Sequence, residues 1–215
     1  MPSKTSRKRR PRKQKTNYTK IVAIVALLAV AAVIVGYVII NNDNSTPEEA
    51  EEELTQMKAL LETSMGNITI QLRDDMPITT SNFKKLVHDG TYDNTTFHRV
   101  IADFMIQGGD PTGTGYGDPA IPSIQDEFTD TNENNKYTIA MANKGADYPN
   151  SGSSQFFINV VDNNGLDSLH PVFGEVIDGM DVVDAISLVE TDGDPPAGNN
   201  KPLEEVTLIR ATLID

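Results

Sequence analysis

The chain has 215 residues with 31 acidic and 18 basic side chains, and it contains neither cysteine nor tryptophan. Without cysteine no disulfide bond can form, so any folded domain must be stabilised by its core. The net charge of −13 hides a split, because residues 1–20 hold nine Lys or Arg and no acid while the remainder carries −22. A basic run of this kind is compatible with a DNA-binding arm, but the segment that follows it argues against nucleic acid as a partner.

Residues 21–40 form an uninterrupted apolar segment without a charged side chain. A helix of about 20 residues spans about 30 Å, which is the hydrocarbon thickness of a bilayer. A cleaved signal peptide would have a shorter apolar region and a cleavage site of small residues. The segment therefore predicts an uncleaved transmembrane signal anchor. A nuclear-localisation role for the basic run would leave the apolar segment unexplained.

The basic flank predicts the orientation of this anchor. Lys and Arg favour the cytoplasmic side of a membrane, so residues 1–20 are expected to be a cytoplasmic tail and the C-terminal domain is expected to be extracytoplasmic. Residues 41–54 are rich in Asn, Thr, Pro and Glu and predict an acidic flexible linker. The chain is thus expected to be a single-pass protein of the cell membrane.

Residues 55–215 predict one domain of about 160 residues, ample for a single hydrophobic core. Its short apolar runs between Gly, Pro and Asp residues predict strands, and two longer stretches predict helices. The expected elements are a hairpin over 56–63 and 67–72, a helix over 77–88, a strand over 174–177, a helix over 178–189 and a final strand over 206–214. The Asp-rich loops at 162–167 and 192–194 are interpreted as solvated turns, because the first lacks the spacing of an EF-hand, and no metal site is expected.

The most informative run is Phe97 to Asp110, which reads Phe-His-Arg-Val-Ile-Ala-Asp-Phe-Met-Ile-Gln-Gly-Gly-Asp. Alternate residues of a strand share one face, so Arg99, Met105 and Gln107 are expected on one surface. A cation and an amide beside an apolar wall can grip and polarise an uncharged group, but they are poorly equipped for covalent chemistry. The alternative is an ordinary strand whose edge arginine extends its charged end to water.

Two later motifs extend this run: Tyr-Thr-Ile-Ala-Met-Ala-Asn at 137–143 with Ser-Gly-Ser-Ser-Gln-Phe-Phe-Ile-Asn at 151–159, and Leu-Asp-Ser-Leu-His-Pro-Val-Phe-Gly-Glu-Val at 166–176. Together the three motifs resemble the cyclophilin family of peptidyl-prolyl cis-trans isomerases, from about residue 57 to the C-terminus. The resemblance implies a mainly β fold, a closed eight-stranded antiparallel β-barrel capped by two α-helices, here preceded by one N-terminal transmembrane helix.

The resemblance also implies a groove for Xaa-Pro segments, and it assigns roles residue by residue. Arg99 matches the catalytic arginine, with Gln107 beside it; Phe104, Met105, Phe157 and Leu166 match the walls of the proline pocket; Gln107, Asn143, Gln155 and His170 match groups that hold the peptide backbone; Ala142 and Gly113 match positions along the groove and at its edge. Alternation alone leaves open which of Phe156 and Phe157 faces the core. His98 is expected to point away from Arg99.

Three departures from the family pattern concern the groove. Gly165 stands where the family often has a tryptophan that contributes to cyclosporin binding, so drug sensitivity is not implied whereas turnover is. Lys144 replaces a small residue and adds a charge to one edge. The stretch 145–154 is a few residues longer than usual, which affects the residues accepted beyond proline.

Prolyl isomerisation suits these residue types because it needs no covalent step. The barrier of roughly 20 kcal/mol arises from conjugation of the amide nitrogen, and a permanently charged guanidinium can donate to that nitrogen once the bond is twisted. No cofactor is expected, and the expected partners are proline-containing segments of unfolded or folding proteins, bound by a monomer. The alternatives are a proline-segment-binding chaperone or scaffold with little turnover, and an adhesion or signalling role of the acidic surface.

Overall fold

The computed structural model describes residues 57–215 of the chain. The predicted cytoplasmic tail at 1–20, signal anchor at 21–40 and linker at 41–54 lie outside the described residues. Within the described part, no helix has both the length and the apolar character needed to cross a bilayer.

The described residues form one antiparallel β-sheet with nine strands and two α-helices. The strands are β1 (Lys58–Thr63), β2 (Gly66–Leu72), β3 (Thr95–Thr96), β4 (Arg99–Ile101), β5 (Met105–Gly108), β6 (Thr138–Met141), β7 (Phe156–Asn159), β8 (Val172–Asp178) and β9 (Thr207–Ile214). Their order across the sheet is β3-β9-β1-β2-β8-β6-β7-β5-β4. The predicted hairpin is confirmed, since β1 and β2 pair from Lys58 with Gln71 to Thr63 with Gly66.

The sheet is curved into a half-barrel whose two end strands are neighbours in the chain. Only Phe97 and His98 separate β3, which pairs with β9, from β4, which pairs with β5. A further antiparallel bridge joins Thr96 to Asp110, just beyond β5. The expected strand count of eight is wrong by one, because Phe97 turns inward, donates its N–H to the carbonyl of Val206 and divides this segment into two short strands.

The core lies between the concave face of the sheet and the helices. It is centred on Phe83, a fully buried residue of α1 (Pro77–His88). The Phe83 ring lies 5.2 Å from that of Tyr92, 5.9 Å from that of Phe156 and 5.1 Å from that of Phe173, measured between centroids. Aromatic groups at these separations contribute dispersion and edge-to-face attraction beyond their burial. Strand β1 adds Ala59 and Leu61 to this core, and β2 adds Ile68, Ile70 and Leu72.

Both predicted helices are present, with one change in length. Helix α1 occupies the predicted residues; its Ile78 is 40% exposed, while Thr79 is fully buried. Helix α2 (Met180–Ser187) is shorter than the prediction of 178–189. It starts after Gly179, whose φ of 84° and close approach to the backbone of β2 exclude a side chain there.

The first turn of α1 depends on a distant carboxylate. The residue before the helix provides no side-chain cap. Instead, the Glu127 carboxylate accepts hydrogen bonds from the N–H groups of Ile78 and Thr79, each at 3.0 Å to the same oxygen. A negative charge at this end also interacts favourably with the helix dipole.

We predict that Glu127→Ala lowers the free energy of unfolding by about 1 kcal/mol, because it removes a helix N-cap, and the Tm by about 3 °C. Thermal unfolding followed by circular dichroism measures this change. Glu205→Ala, which removes the same charge from an exposed position, is the control and should leave the Tm within about 1 °C. Equal Tm values for the two variants would contradict the capping role.

Candidate functional site

The site is built on the pairing of β4 with β5. Arg99 lies directly opposite Gln107, and Ile101 lies opposite Met105. Since alternate residues share a face, the side chains of Arg99, Met105 and Gln107 lie on the same side of the sheet. The Arg99 Nη1 atom donates to Gln107 Oε1 at 3.2 Å and lies 3.9 Å from the Met105 sulfur. The arginine is therefore fixed by a cross-strand partner instead of extending freely into water.

A second glutamine, Gln155, lies just before β7 and is hydrogen-bonded to Gln107. Gln107 Nε2 donates to Gln155 Oε1 at 2.9 Å, and Gln155 Nε2 donates to the carbonyl of Gly115 at 3.0 Å. Each amide thus accepts a hydrogen bond on its oxygen and donates one from its nitrogen. Reversing one amide would place two donors or two acceptors face to face, so the row has a defined direction.

An apolar patch lies beside the arginine on the convex side of the sheet. It is a cluster of buried and half-buried side chains, separate from the main core: Ile101, Phe104, Met105, Ala140, Ala142, Phe157, Leu166 and Val172. Phe157 belongs to this patch, whereas Phe156 belongs to the main core. The question that alternation left open is thereby resolved. All four residues expected to line a proline pocket lie in the patch.

His170 lies at one border of the patch. Its ring makes an edge-to-face contact with Phe157, with centroids 5.2 Å apart. Its Nδ1 lies 3.1 Å from the carbonyl oxygen of Met141. Because a carbonyl can only accept, Nδ1 carries a proton and the neutral ring has its lone pair on Nε2.

The segment that carries Leu166 and His170 is held by buried asparagines. Asn132 donates to the carbonyls of Asp167 and His170 at 2.6 and 3.2 Å, and its own oxygen accepts the Val172 N–H. Fully buried Asn134 contacts the same segment by donating to the Asp167 carboxylate and the His170 carbonyl. These contacts fix a segment with little regular structure against the sheet.

Four of the expected site residues border a cavity of about 420 Å³. Gln107, Ala142, Asn143 and Gln155 line it, together with Lys144 and the residues 115–119. The side chain of Asn143 donates to the Leu169 carbonyl at 2.7 Å, so this residue joins the cavity wall to the segment that follows Leu166. Ala142 belongs both to the cavity wall and to the apolar patch.

Gly113 is not among the residues that line the cavity. Its N–H donates to the carbonyl of Asp110 in a tight turn, and its φ of 65° is in the left-handed region. Gly115 and Gly117 take the positions on the cavity wall instead. The role of Gly113 at the groove edge therefore stays a prediction.

Two groups that differ from the family pattern lie at the rim. Lys144 is exposed and lines the cavity. Gly165 is also exposed, and no atom lies within 4 Å of the position that a side chain would take there. The site therefore lacks a wall beside Leu166 that a larger residue would provide.

Burial shifts the ionisation of three groups in this region. It lowers the pKa of half-buried Arg99, but the ordinary pKa of arginine is so high that the guanidinium stays charged at neutral pH. Burial also lowers the pKa of His170, against the effect of its contact with the Met141 carbonyl. It lowers the pKa of His98, which lies beneath Gly115, although the charge of Asp110 acts in the opposite direction.

Three residues that support the site instead of lining it were not predicted from the sequence: Asp110, Asn132 and Asn134. Asp110 ends the first motif, and its fully buried carboxylate organises the following loop. Asn132 and Asn134 lie in a polar stretch that gave no signal of burial. The recurrence of glycine at 113, 115 and 117 was the available signal for the loop, since each adopts a left-handed backbone.

The fold and the geometry define a protein that can bind an uncharged, apolar group beside a fixed arginine, using residues that are not nucleophiles. Residues 58–213 match the family model described as cyclophilin type peptidyl-prolyl cis-trans isomerase/CLD. The chain therefore belongs to the cyclophilin family and is a peptidyl-prolyl cis-trans isomerase.

Curated relatives and solved structures agree with this assignment. The chain is 39% identical over 179 residues to the peptidyl-prolyl cis-trans isomerase CYP18-2 of Arabidopsis thaliana, covering 80% of this chain and 99% of the relative. It is 48% identical over 141 residues to peptidyl-prolyl cis-trans isomerase-like 1 of Rhizopus delemar, covering 63% and 82%. A cyclophilin type isomerase from Cryptosporidium parvum has a TM-score of 0.68 at 30% identity, covering 74% and 98%. A structure of that protein in the presence of the dipeptide Ala-Pro gives 0.68 at 29%, covering 74% and 99%.

We predict that the domain loses stability between pH 7 and pH 5 through its buried histidines. Because burial lowers the pKa of His98 and His170 in the folded state, the unfolded chain binds protons first as the pH falls below about 6.5. The stability is therefore complete above this pH and declines below it, by at most about 1.4 kcal/mol per pH unit for each proton. Carboxylates with lowered pKa, such as Asp110, contribute only at more acidic pH.

The measurement is the Tm at pH 7.5 and pH 5.5 for wild type, His98→Gln and the control His88→Gln, in which an exposed histidine is replaced. His98→Gln should show a smaller drop than the other two proteins. An identical drop in all three would contradict the assignment to His98.

Proposed function

We propose that this cyclophilin is tethered to the cell membrane, with its domain outside, and accelerates the isomerisation of Xaa-Pro bonds in exported proteins as they fold. The isomerase activity follows from the family. The observation that carries the proposed site is the position of Arg99, held at 3.2 Å by Gln107 and next to the patch that contains Met105 and Phe157. The structure of the Cryptosporidium parvum relative in the presence of the dipeptide Ala-Pro supports a proline-containing peptide as the ligand.

In this proposal the proline ring binds to the apolar patch. The ring is a compact hydrocarbon surface, and the side chains of Phe104, Met105, Phe157 and Leu166 offer a complementary surface that excludes water. Holding the ring still allows the preceding carbonyl to rotate around the amide bond. The polar residues on the cavity side, Gln107, Asn143 and Gln155, then hold the backbone that leads to the proline.

Arg99 acts on the twisted amide. In the planar ground state the nitrogen lone pair is shared with the carbonyl. In the twisted state it is localised on the nitrogen and accepts a hydrogen bond from the guanidinium. Because this bond is strong only in the transition state, it lowers the barrier without tightening ground-state binding. Gln107 fixes the guanidinium beforehand, so little reorganisation is needed during rotation.

The membrane attachment rests on the sequence of the N-terminal region. Residues 21–40 are long enough and apolar enough to span a bilayer. The nine basic residues within 1–20 favour retention of that end in the cytoplasm. Uncatalysed prolyl isomerisation takes tens of seconds or longer. An isomerase outside the membrane would therefore meet exported chains before this step is complete.

We predict that Arg99→Ala lowers kcat/KM on a proline tetrapeptide by about two orders of magnitude, because one transition-state donor is worth about 3 kcal/mol. A protease-coupled or NMR exchange assay measures the rate. Arg99→Lys should recover little of it, since an ammonium cannot reproduce the planar donor geometry. Arg210→Ala, which removes an exposed arginine of β9, is the control and should retain full activity.

Wild-type activity in a well-folded Arg99→Ala protein would refute the proposed role of Arg99. Tight peptide binding without measurable turnover in the wild-type protein would instead favour a scaffold that only holds proline segments.

We predict that a C-terminal epitope tag is digested by protease added to intact cells, whereas an N-terminal tag is protected until the membrane is permeabilised. The reason is the orientation expected from the basic flank. Replacing the basic residues of 1–20 by Gln should reduce this asymmetry, while replacing half-buried Lys84 and exposed Lys85 of α1 should not. Protection of both tags in intact cells would reject the extracytoplasmic location.

A further inference from the structure

Asp110 is a fully buried carboxylate that the proposed chemistry does not use directly. It follows β5 and lies beneath the loop formed by residues 112–117. One of its oxygens accepts hydrogen bonds from the N–H and hydroxyl of Thr112, at 2.9 and 2.8 Å. The other accepts from the N–H groups of Gly115 and Gly117, at 2.7 and 3.2 Å, and lies 3.4 Å from the Thr114 hydroxyl.

These hydrogen bonds determine the shape of the loop. A carboxylate can accept several donors at once, and its charge makes each bond stronger than a neutral one. The loop bends around the carboxylate through left-handed conformations at Gly115 and Gly117, with φ of 82° and 80°. Although burial raises the pKa of Asp110, hydrogen bonds from Thr112, Gly117 and Gly115 outweigh it and lower the pKa overall, so the carboxylate is ionised at neutral pH.

The loop is connected to the arginine through the two glutamines. Gly115 donates its N–H to Asp110 and accepts with its carbonyl from Gln155. Gln155 in turn accepts from Gln107, which accepts from Arg99. Four consecutive hydrogen bonds of 2.7 to 3.2 Å therefore join the buried carboxylate to the guanidinium.

The donor-to-acceptor direction of these four hydrogen bonds explains how Asp110 affects Arg99. The Gly115 carbonyl is the fixed acceptor that makes Gln155 turn its nitrogen outward and its oxygen toward Gln107. Gln107 must then present its nitrogen to Gln155 and its oxygen to Arg99. Were the Gly115 carbonyl displaced, either amide could reverse, and a reversed Gln107 would face the guanidinium with a donor instead of an acceptor.

We propose that Asp110 is a positioning residue of the isomerase: it holds the Gly115 carbonyl in place and, through Gln155 and Gln107, fixes the orientation of Arg99. This inference rests on the proposed function of Arg99. Asp110 itself does not contact the peptide. Its contribution is therefore to kcat, through the orientation of the guanidinium, and not to ground-state binding.

The test is Asp110→Asn in the full-length protein, purified in a mild non-ionic detergent. The substitution keeps the shape but replaces one accepting oxygen by an NH₂ group. We expect kcat on a proline tetrapeptide to fall about ten-fold, or about 1.4 kcal/mol, with KM changed less than two-fold. The control is Asp93→Asn, a half-buried carboxylate that accepts the N–H of Ala211 on the other side of the sheet. It should change the Tm but not kcat.

A double-mutant cycle separates positioning from general stabilisation. In a Gln155→Leu background the chain to Arg99 is already broken, so adding Asp110→Asn should reduce kcat less than two-fold further. An undiminished ten-fold loss in that background would overturn the proposal, because Asp110 would then act by another route. An unchanged kcat in the folded Asp110→Asn single variant would overturn it as well.

Thr112→Val provides a second test should Asp110→Asn fail to fold. It removes a single hydroxyl donor from the carboxylate and leaves the other contacts. NMR should show a loss of hydrogen-exchange protection at the Gly115 N–H and the Gln155 side-chain amide, with a loss of kcat of less than about ten-fold. Lost protection with an unchanged kcat would overturn the proposal.

The outcomes distinguish this inference from the proposed function. If Arg99→Ala retains activity, the role of Arg99 itself fails. If Arg99→Ala is inactive while the Asp110 and Thr112 variants keep wild-type kcat, only the positioning role of Asp110 fails.

Discussion

The hydrogen bond between Arg99 and Gln107 is the interaction on which the site depends. It exists because β4 and β5 pair in a register that places these residues opposite each other. A shift of the register by one residue would move the arginine away from the glutamine and turn Met105 from the apolar patch toward the other face. This register also places Gln107 between Arg99 and Phe157, and so it brings the arginine, the glutamines and the apolar patch together.

The apolar and polar parts of the site lie next to each other on the same face of the sheet. The apolar patch around Met105 and Phe157 can immobilise a hydrocarbon ring, while the amides of Gln107 and Gln155 face a polar cavity. An electrostatic effect is strongest where water is excluded, so the guanidinium is most effective at the boundary between these two parts. The buried asparagines Asn132 and Asn134 serve the same end, because they hold the segment that closes the patch.

The local patterns of the sequence predicted most of the helices and strands, but not the buried residues whose contacts come from distant parts of the chain. Helix α1 and the β1–β2 hairpin follow from nearby residues: Pro77 at a helix start and alternating apolar positions. The division between β3 and β4 could not be predicted locally, because it depends on Phe97 entering the core and bonding to Val206. Asp110 escaped notice for a similar reason, since a carboxylate is expected at the surface until its donors are known.

The pairing of β1 with β9 has a consequence for how the domain is made. The first described strand and the last one are hydrogen-bonded neighbours, and β9 also pairs with β3. During synthesis β1 can pair with β2 as soon as both are made, but the other edge of β1 stays unpaired until β9 is available. Contacts between distant parts of a chain also slow folding. The sheet that carries the groove is therefore fully paired only after β9 has been synthesised.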